Sequence, residues 1–369
     1  MQARLISSFL FSVFFLIRVN FSIAQEINWA NNIGGTEADV TNDVVVDASG
    51  NIISVGKFKG TVDLDPGAGT NTVSSSSNTD TDGFIYKINS NGAYQWGFSI
   101  GNGDLGAGSS GADLINSVDV DASGNIYITG TFTGIVDFDP SGSATNLTST
   151  CSFCTTGFEV YTADAFWAKY DSDGNFIAAF SWGNDGYDQG LAIKVTSVGD
   201  TYIAGHYEKS VDFDPSGSTQ TSTSNGGHDI FLARYNSSNQ LAHLLTFGST
   251  STSIFTDYVT GLDVDGTGNY YLSGYYTGNM NINPNGTAEN ISASTNSDGF
   301  IAKYNSSGTM QWGFGIGAGN PDKVNDCAID ASGNVYLTGD FTGSVDFDPG
   351  TSTAALTSLN TGNADIFVA

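Results

Sequence analysis

The chain repeats one segment five times, and this repetition limits the folds that it can adopt. The segments "DASGNIISVGKF", "DASGNIYITGTF", "DGTGNYYLSGYY" and "DASGNVYLTGDF" are close copies, and "TSVGDTYIAGHY" is a diverged one. In chain order the five copies begin at residues 47, 121, 196, 265 and 330, so their spacings are 74, 75, 69 and 65 residues. Such a nearly regular spacing indicates one structural unit that is repeated and stacked against itself.

Each repeat contains four short β-like runs, named a to d, which are separated by turn residues. Examples are run a at 116–121, run b at 125–132, run c at 164–170 and run d at 93–99. Turns such as "DASGN" and "NSNG" supply the Gly, Asn and Asp residues that hairpins need. We therefore predict an all-β fold, a β-propeller of four-stranded antiparallel blades. A solenoid is the alternative, although its repeats are usually shorter.

The N-terminal residues have the features of a signal peptide. Arg4 precedes an apolar run that ends at Ile17, and "SIA" (22–24) fits a cleavage site of small residues. The run is short for a membrane span, and a retained anchor is the alternative. We predict a signal peptide at 1–24 and a propeller at 25–369, with no transmembrane span in the mature chain. The five predicted blade units are 39–100, 113–183, 188–248, 257–316 and 322–369.

The fifth unit stops after its run c, "DIFVA" (365–369). Residues 26–31 resemble a missing run d, because Trp29 matches Trp96 and Trp312. Pairing of an N-terminal strand with the last blade would close the ring and remove two open edges. We predict that 26–31 is this closing strand, with Trp29 near Phe367 if five blades close. A larger ring that continues past residue 369 is the alternative.

The charge of the chain restricts its partners. The formal net charge is −27. When Arg4 and Arg18 of the predicted signal peptide are left out, the chain has nine basic and 38 acidic residues. Such a surface repels nucleic acid and anionic lipid, and it suits cations or cationic partners. High charge can also indicate disorder, but an aromatic content of 12% favours a packed core.

Two segments, "DASGNVYLTGDFTGSVDFDPG" (330–350) and "DAFWAKYDSDGN" (164–175), resemble the SBBP family of β-propeller repeats. The resemblance covers nearly all of the mature chain. It implies an exported bacterial protein, often from Bacteroidota, that can be attached to the cell surface. It implies no established catalytic activity and therefore no active-site residues. Such proteins often end in a sorting or adhesion domain, whereas this sequence stops inside a repeat.

Aspartates recur at three repeat positions on one predicted face. In an up-and-down blade the b–c and d–a loops share a face, here called the long-loop face, and long loops on a rigid scaffold often bind ligands. The column before run a, predicted to ring the mouth of a central channel, is Asp39, Asp113, Asp188, Asp257 and Asp322. The column at the start of run c is Asp82, Asp164, Asp229, Asp298 and Asp365. The pairs in "VDFDP"-like segments are Asp63 and Asp65, Asp137 and Asp139, Asp212 and Asp214, and Asp346 and Asp348.

Two interpretations of these aspartates stay open. Asp caps backbone N–H groups in turns, and Asn does so without charge; Asn281 and Asn283 replace one pair. Calcium takes several oxygen ligands, and residues i and i+2 of a strand share a face, so each pair could supply two ligands. Two carboxylates alone make a weak site, and the turn interpretation is favoured. No cofactor is required, and calcium is possible.

Cysteine and histidine residues are few. Cys151 and Cys154 lie in one long b–c loop, where a disulfide is favoured over half of a zinc site in an exported protein. Cys327 aligns with apolar residues and is predicted to be a small buried hydrophobe. His206 lies at a variable repeat position, which predicts an exposed side chain that can contact a ligand. Run c carries one recurring basic residue, predicted to form structural contacts: Lys87, Lys169, Arg234 and Lys303.

These features favour a noncatalytic protein, secreted or on the cell surface, that acts as a binding, adhesion or scaffold module. Its expected partner is an unknown protein or polysaccharide and not nucleic acid. The alternative is an extracellular polymer-degrading enzyme that uses carboxylates of the long-loop face. A catalytic residue should break the repeat pattern, and the recurring aspartates follow it.

Overall fold

The computed structural model describes residues 27–75, 80–101, 111–155, 158–251, 256–360 and 362–369. Every regular element in these ranges is a β-strand, as the turn-rich repeats predict. The predicted signal peptide at 1–24 lies outside the described residues. The all-β prediction is therefore confirmed for the part of the chain that the structure describes.

The strands fall into five consecutive groups, one for each repeat. Blade 1 contains β1 (Gly34–Gly35), β2 (Val40–Val46), β3 (Ile52–Lys59), β4 (Thr61–Asp63), β5 (Thr72–Ser74), β6 (Thr81–Ile88) and β7 (Tyr94–Ile100). Blade 2 contains β8 (Leu114–Val120), β9 (Ile126–Thr133), β10 (Ile135–Asp137), β11 (Asn146–Thr148), β12 (Cys151–Thr155), β13 (Phe158–Tyr161), β14 (Ala163–Tyr170) and β15 (Phe176–Trp182). Blade 3 contains β16 (Gln189–Val195), β17 (Thr201–Tyr207), β18 (Ser210–Asp212), β19 (Thr221–Thr223), β20 (Asp229–Tyr235) and β21 (Leu241–Phe247).

The last two groups contain fewer strands. Blade 4 contains β22 (Tyr258–Val264), β23 (Tyr270–Asn281), β24 (Asn290–Tyr304) and β25 (Met310–Ile316). Blade 5 contains β26 (Lys323–Ile329), β27 (Val335–Phe341), β28 (Ser344–Asp346), β29 (Ala355–Thr357) and β30 (Asp365–Val368).

Blades 1 to 4 are four-stranded antiparallel sheets with the strand order a-b-c-d, and blade 5 is a three-stranded a-b-c sheet. The strands a are β2, β8, β16, β22 and β26. The first four of them each contact the strand a of the next blade, so the blades follow one another around their inner strands. Meandering four-stranded sheets in this arrangement are the blades of a β-propeller.

Each strand a contains one β-bulge, and a glycine of strand b lies directly against it. In blade 2 the register shifts between Ile115 and Ser117, and a Cβ atom on Gly130 would lie 1.8 Å from the carbonyl oxygen of Leu114. In the other blades, a Cβ atom added to the equivalent glycine would lie 1.8–2.1 Å from a carbonyl oxygen of strand a. These glycines are Gly56, Gly205, Gly274 and Gly339. Only glycine permits this close approach of two backbones, which explains its place in every repeat.

The bulged residue of strand a connects one blade to the next. Asn42 Nδ2 donates a hydrogen bond of 2.8 Å to the Ile115 carbonyl oxygen, and Asn116 Nδ2 donates one of 2.8 Å to that of Gly190. Thr260 Oγ1 donates a bond of 2.6 Å to the carbonyl oxygen of Val324. Apolar side chains of the same strands fill the interblade core. Cys327 belongs to it, as predicted, with a free thiol that is 5% exposed.

Residues 27–31 do not pair with blade 5. Among the described residues β30 pairs only with β27, and Trp29 lies instead on the c–d turn of blade 1. Its Nε1 donates a bond of 3.0 Å to the Ser90 carbonyl oxygen, as Trp96 Nε1 does at 3.3 Å to Ser172 in the turn of blade 2. Trp29 therefore contacts blade 1 as a strand d contacts the following blade. Closure of five blades by this segment does not occur in this structure, and the number of blades in the ring stays a prediction.

Candidate binding face at the long-loop ends of the blades

The "VDFDP"-like segments form short β-hairpins in the b–c loops. The hairpins pair β4 with β5, β10 with β11, β18 with β19, and β28 with β29, and in blade 4 they continue β23 and β24. Side chains alternate between two faces of a strand. Val136 and Phe138 are accordingly fully buried against blade 2, whereas Asp137 is exposed and Asp139 is half-buried.

The aspartates of these hairpins cap backbone N–H groups. Asp137 Oδ1 accepts hydrogen bonds from the N–H of Asp139 (3.0 Å) and Thr145 (2.8 Å), and Asp139 Oδ1 accepts one from Ser141 (2.9 Å). The same pattern holds for Asp63 and Asp65, Asp212 and Asp214, and Asp346 and Asp348. Asn281 Oδ1 accepts the two equivalent bonds, each of 3.0 Å. The hairpin therefore needs an acceptor oxygen and not a charge.

The alternative interpretation was calcium binding. Within the described residues, no group of three or more His, Cys, Asp or Glu side chains could hold a metal ion. Calcium prefers six to eight oxygen ligands, and one oxygen of each aspartate already accepts backbone bonds. Calcium binding at the hairpins stays a prediction.

The aspartates before strand a hold the loops in place at the joints, which are the contacts between consecutive blades. Asp188 Oδ1 accepts the Glu208 N–H at the end of strand b (3.0 Å), and its Oδ2 accepts the Asn184 N–H in the d–a loop (2.9 Å). Asp113, Asp257 and Asp322 accept the equivalent strand-b bond, and all four side chains are at most 2% exposed. These carboxyls lie inside the joints, where they accept backbone hydrogen bonds, and their place around the mouth of a central channel stays a prediction. Asp39 of blade 1 is half-buried and accepts the Gly35 N–H.

The aspartates at the start of strand c lie against glycines that follow strand d. A Cβ atom on Gly101, Gly183, Gly248 or Gly317 would lie 2.2–2.5 Å from the Cγ atom of the adjacent aspartate. These four aspartates are 3–6% exposed, and the Oδ1 atom of each has no hydrogen-bond partner among the described residues. They are Asp82, Asp164, Asp229 and Asp298. Asp365 of blade 5 is only half-buried, and its Oδ2 accepts the Leu359 N–H.

Burial and a second carboxyl raise the pKa values in these joints. Burial, then the charge of Asp113 in the next blade, raises the pKa of Asp82 to about 8. Burial and Asp257 together raise the pKa of Asp229 to about 7, against a bond from Asn225. The two aspartate columns thus meet in pairs across four joints. A repeated, buried carboxyl pair is a structural feature and lacks the singular environment that a catalytic pair needs.

Further acidic residues, which the sequence did not single out, lie on strands a. Burial raises the pKa of Asp326; the charges of Asp263 and Asp43 add to this shift, whereas a backbone bond from Cys327 and the charge of Lys194 oppose it. Asp43, Lys194, Asp263 and Asp326 belong to strands a of blades 1, 3, 4 and 5. Asp43 Oδ2 also accepts the Val118 N–H at 2.9 Å, which makes it part of a joint.

Four residues of blade 3 that differ from their counterparts in blade 2 lie together. They are Tyr187, His206, Glu208 and His228, where blade 2 has Ala112, Thr131, Thr133 and Ala163. The imidazole rings of His206 and His228 stack at 4.2 Å with an interplanar angle of 17°. Tyr187 stacks on both rings at 5.9 and 6.1 Å, and Tyr258 of blade 4 lies 4.6 Å from His206.

His206 is fully buried, so its predicted exposure is wrong. The same repeat position faces the next blade in blades 2 and 4, where Thr131 Oγ1 donates to the Asp188 carbonyl oxygen and Lys323 lies over the Tyr275 ring. Neither ring nitrogen has a hydrogen-bond partner among the described residues. Burial, and then the neighbouring His228, lowers its pKa well below the usual value, which makes the ring neutral. The signal that could have found the cluster is the simultaneous departure of Tyr187, Glu208 and His228 from the residues of the other units.

An open pocket of about 410 Å³ lies beside this cluster, between blades 2 and 3 on the long-loop face. Tyr161, Thr162, Asp185, Tyr187 and Glu208 supply its polar lining. Glu208 Oε1 lies 3.0 Å from His228 Nε2, and its Oε2 accepts the Tyr187 N–H at 3.3 Å. The pocket therefore combines carboxylates with aromatic rings on the face where binding was predicted.

The basic residues of strand c lie at the opposite end of the blades. Lys87 forms an ion pair of 3.0 Å with Asp47 and donates to the Ser172 carbonyl oxygen of blade 2. Arg234 donates a bond of 2.7 Å to the Ser306 carbonyl oxygen of blade 4. Lys169 and Lys303 lie over tyrosine rings of their own blades. Their predicted structural role is confirmed.

Of the three cysteines, Cys151 is disulfide-bonded. The side chain of Cys154 lies outside the described residues, so the pairing Cys151–Cys154 stays a prediction.

No family model and no curated protein matches this chain, so the resemblance to SBBP repeats stays a prediction. Similar solved structures include the WD40 β-propeller domain of Doa1, with 11% identity over 84% of this chain and 92% of that chain, at a TM-score of 0.27. Sqt1 from Chaetomium thermophilum has 10% identity over 85% and 82%, at 0.30. An extracellular domain from B. thetaiotaomicron has 12% identity over 86% and 44%, at 0.25. The fold class rests on the sheet topology given above.

In the part of the chain that the structure describes, no helix is long and apolar enough to cross a bilayer.

Proposed function

We propose that the protein is an exported, noncatalytic β-propeller that binds a protein or polysaccharide partner through its long-loop face. The observation that carries this proposal is the contrast between two sets of residues on that face. The repeated aspartates accept backbone bonds and build the scaffold, whereas Tyr187 and Glu208 break the repeat and line an open pocket. Singular side chains on a rigid repeated frame are typical of binding sites.

The face can be tested with two exposed alanines at opposite ends of strand β8. Ala112 lies on the long-loop face, and Ala122 lies in the tight a–b turn. Ala112→Cys and Ala122→Cys proteins, each carrying a maleimide-linked polyethylene glycol chain, are applied to glycan and peptide arrays. We expect the unmodified protein to bind at least one array ligand, and only the chain on residue 112 to block binding. Equal blocking from both positions, or no ligand on either array, would contradict the proposal.

The enzymatic alternative has its own test. Asp188 is the most buried carboxyl next to the pocket, and burial raises its pKa to about 8. We expect the purified protein to release no products from the polysaccharides and peptides that it binds. If the protein does turn over a substrate, and if Asp188→Asn abolishes this turnover without changing the melting temperature, the function is catalysis and not binding alone.

Calcium is tested separately. We expect a chelator and millimolar calcium to give melting temperatures within about 1 °C, since the hairpin carboxylates already accept backbone bonds. A calcium-dependent rise of several degrees that Asp137→Asn reduces would establish metal binding at the hairpins.

A further inference from the structure

The pocket between blades 2 and 3 contains one carboxylate whose charge is not balanced. Asp185 is balanced by Lys209, whose Nζ lies 2.9 Å from Asp185 Oδ2. Glu208 contacts His228, but burial lowers the pKa of His228 although Glu208 opposes this shift. A neutral His228 donates its Nε2–H to Glu208 without cancelling its charge. Among the described residues, no ion pair joins Glu208 to a lysine or an arginine.

An aromatic ring lies next to this carboxylate and is held in place. Tyr187 is 37% exposed, and it stacks on the two buried imidazole rings. Gln189 Nε2 donates a bond of 2.7 Å to its hydroxyl oxygen, and Glu208 accepts its backbone N–H. A ring fixed in this way loses little freedom when a ligand binds, which favours affinity.

Other tyrosines of this chain hold cationic side chains over their rings. Lys169 lies 4.7 Å from the ring centre of Tyr127, and Lys323 lies 4.5 Å from that of Tyr275. Lys303 over Tyr271 and Arg234 over Tyr202 repeat this cation–π contact. None of the cation–π contacts among the described residues involves Tyr187, which lines the open pocket instead.

We propose that this pocket binds a monovalent organic cation, the ammonium or guanidinium group of a lysine or arginine side chain in a partner peptide. Tyr187 supplies the cation–π surface, and Glu208 supplies the counter-charge. The proposal rests on the proposed binding function and names its ligand class. A saccharide could stack on the same tyrosine, but it would not need an unbalanced carboxylate, so the charge favours the cation.

The test uses three short peptides and the mature protein. Acetyl-Gly-Lys-Gly-amide, acetyl-Gly-Arg-Gly-amide and acetyl-Gly-Gln-Gly-amide are titrated by saturation-transfer NMR, which detects weak binding. We expect the Lys and Arg peptides to bind at least about fivefold more tightly than the Gln peptide. The difference should shrink as salt rises from 20 mM to 500 mM, because the pocket is open to solvent. Equal binding of all three peptides, or no binding of any, would overturn the cation assignment.

Matched variants locate the site. Glu208→Gln keeps the shape and should weaken the Lys and Arg peptides about tenfold, whereas Glu37→Gln, an exposed residue in the d–a loop of blade 1, should not. Tyr187→Leu should weaken binding about five- to tenfold, and Tyr187→Phe about twofold, because phenylalanine keeps an aromatic face. Melting curves show that each variant is folded.

The outcomes separate this inference from the broader function. Neutral glycans could bind, with their binding blocked by modification of residue 112 and unaffected by Glu208→Gln. In that case the cation assignment is wrong, whereas the assignment of the binding face is correct. If the Lys and Arg peptides bind but Glu208→Gln and Tyr187→Leu leave their affinity unchanged, the pocket is the wrong place. If nothing binds on any array or in any titration, the binding function itself fails.

Discussion

The joints between blades differ from the faces of blades 1 and 5 that no other blade covers in the described part of the chain, although the repeats are similar in sequence. Val118 of blade 2 is 4% exposed against blade 1, whereas Val44 at the same position of blade 1 is 56% exposed. At the other end Val368 of blade 5 is 76% exposed, whereas its counterparts Trp167 and Leu232 are fully buried. Burial of a given repeat position therefore depends on whether another blade covers it.

The polar contacts show the same difference. Asn116 of blade 2 reaches the Gly190 carbonyl oxygen of blade 3. Asn325, the same residue type at the same bulge of blade 5, bonds to Asp340 Oδ1 of its own blade at 3.0 Å. In such arrays the stability is the sum of terms for the repeats and for their interfaces, so the joint is the unit that holds this molecule together.

The largest expected effect concerns the glycine against the bulge. A Cβ atom at Gly205 would lie 1.9 Å from the Gln189 carbonyl oxygen, inside a blade that is packed on both sides. We expect Gly205→Ala to lower the free energy of unfolding by about 3 kcal/mol or more, because neither backbone can move away. Gly339→Ala makes the same clash in blade 5, where one side is open, and should cost at least about 1 kcal/mol less. Urea unfolding checks both; equal losses would show that outer blades are as rigid as inner ones.

A smaller effect is expected for the apolar residues of strand a. Val118→Ala removes two buried methyl groups and should cost about 1.5–2.5 kcal/mol of unfolding free energy. Val44→Ala changes an exposed side chain and should stay within about 0.5 kcal/mol. If Val44→Ala is as costly as Val118→Ala in urea unfolding, another blade or another molecule covers blade 1 in solution.

The sequence predicts the blades better than the joints. The Asp-based turns and the alternation of Val136 and Phe138 with aspartates are local features, so four-stranded sheets and hairpin caps follow from them. Burial of Asp82 depends on Gly101 and on the next blade, which no local pattern reveals. His206 shows the same limit, because a variable position suggests exposure unless the neighbour across the joint is known.

The third prediction concerns a carboxyl inside a joint. The pKa of Asp229 is raised from about 4 in the unfolded chain to about 7, so its contribution to stability is complete below pH 4. This contribution is lost as the pH rises from 4 to 7, and it stays lost above 7. Asp229→Asn removes the titration and should flatten the decline over this range by on the order of 1–2 kcal/mol. Urea unfolding at several pH values between 4 and 8 provides the measurement.

Blade 5 supplies the control for this carboxyl. Asp365→Asn changes the half-buried counterpart, and we expect the unfolding free energy to change by less than about 0.5 kcal/mol across the same pH range. If the two variants have the same pH profile, the joint does not control the titration.

The last prediction concerns acid and the stacked histidines of blade 3. Burial and His228 lower the pKa of His206, so the fold contains the neutral ring and its contribution is complete above the unfolded pKa of about 6.5. It is lost as the pH falls below 6.5, because the unfolded chain takes up the proton that the joint excludes. His206→Thr introduces the residue found at Thr131 of blade 2 and should reduce the loss of unfolding free energy between pH 7.5 and pH 5.5 by about 1 kcal/mol. Lys57→Thr places a threonine at the same repeat position of blade 1 and should leave that loss unaltered. Urea unfolding at the two pH values measures the difference for each protein. If His206→Thr and the unchanged protein lose equal stability, His206 is not held neutral, and the joint between blades 3 and 4 must then supply it with a counter-charge.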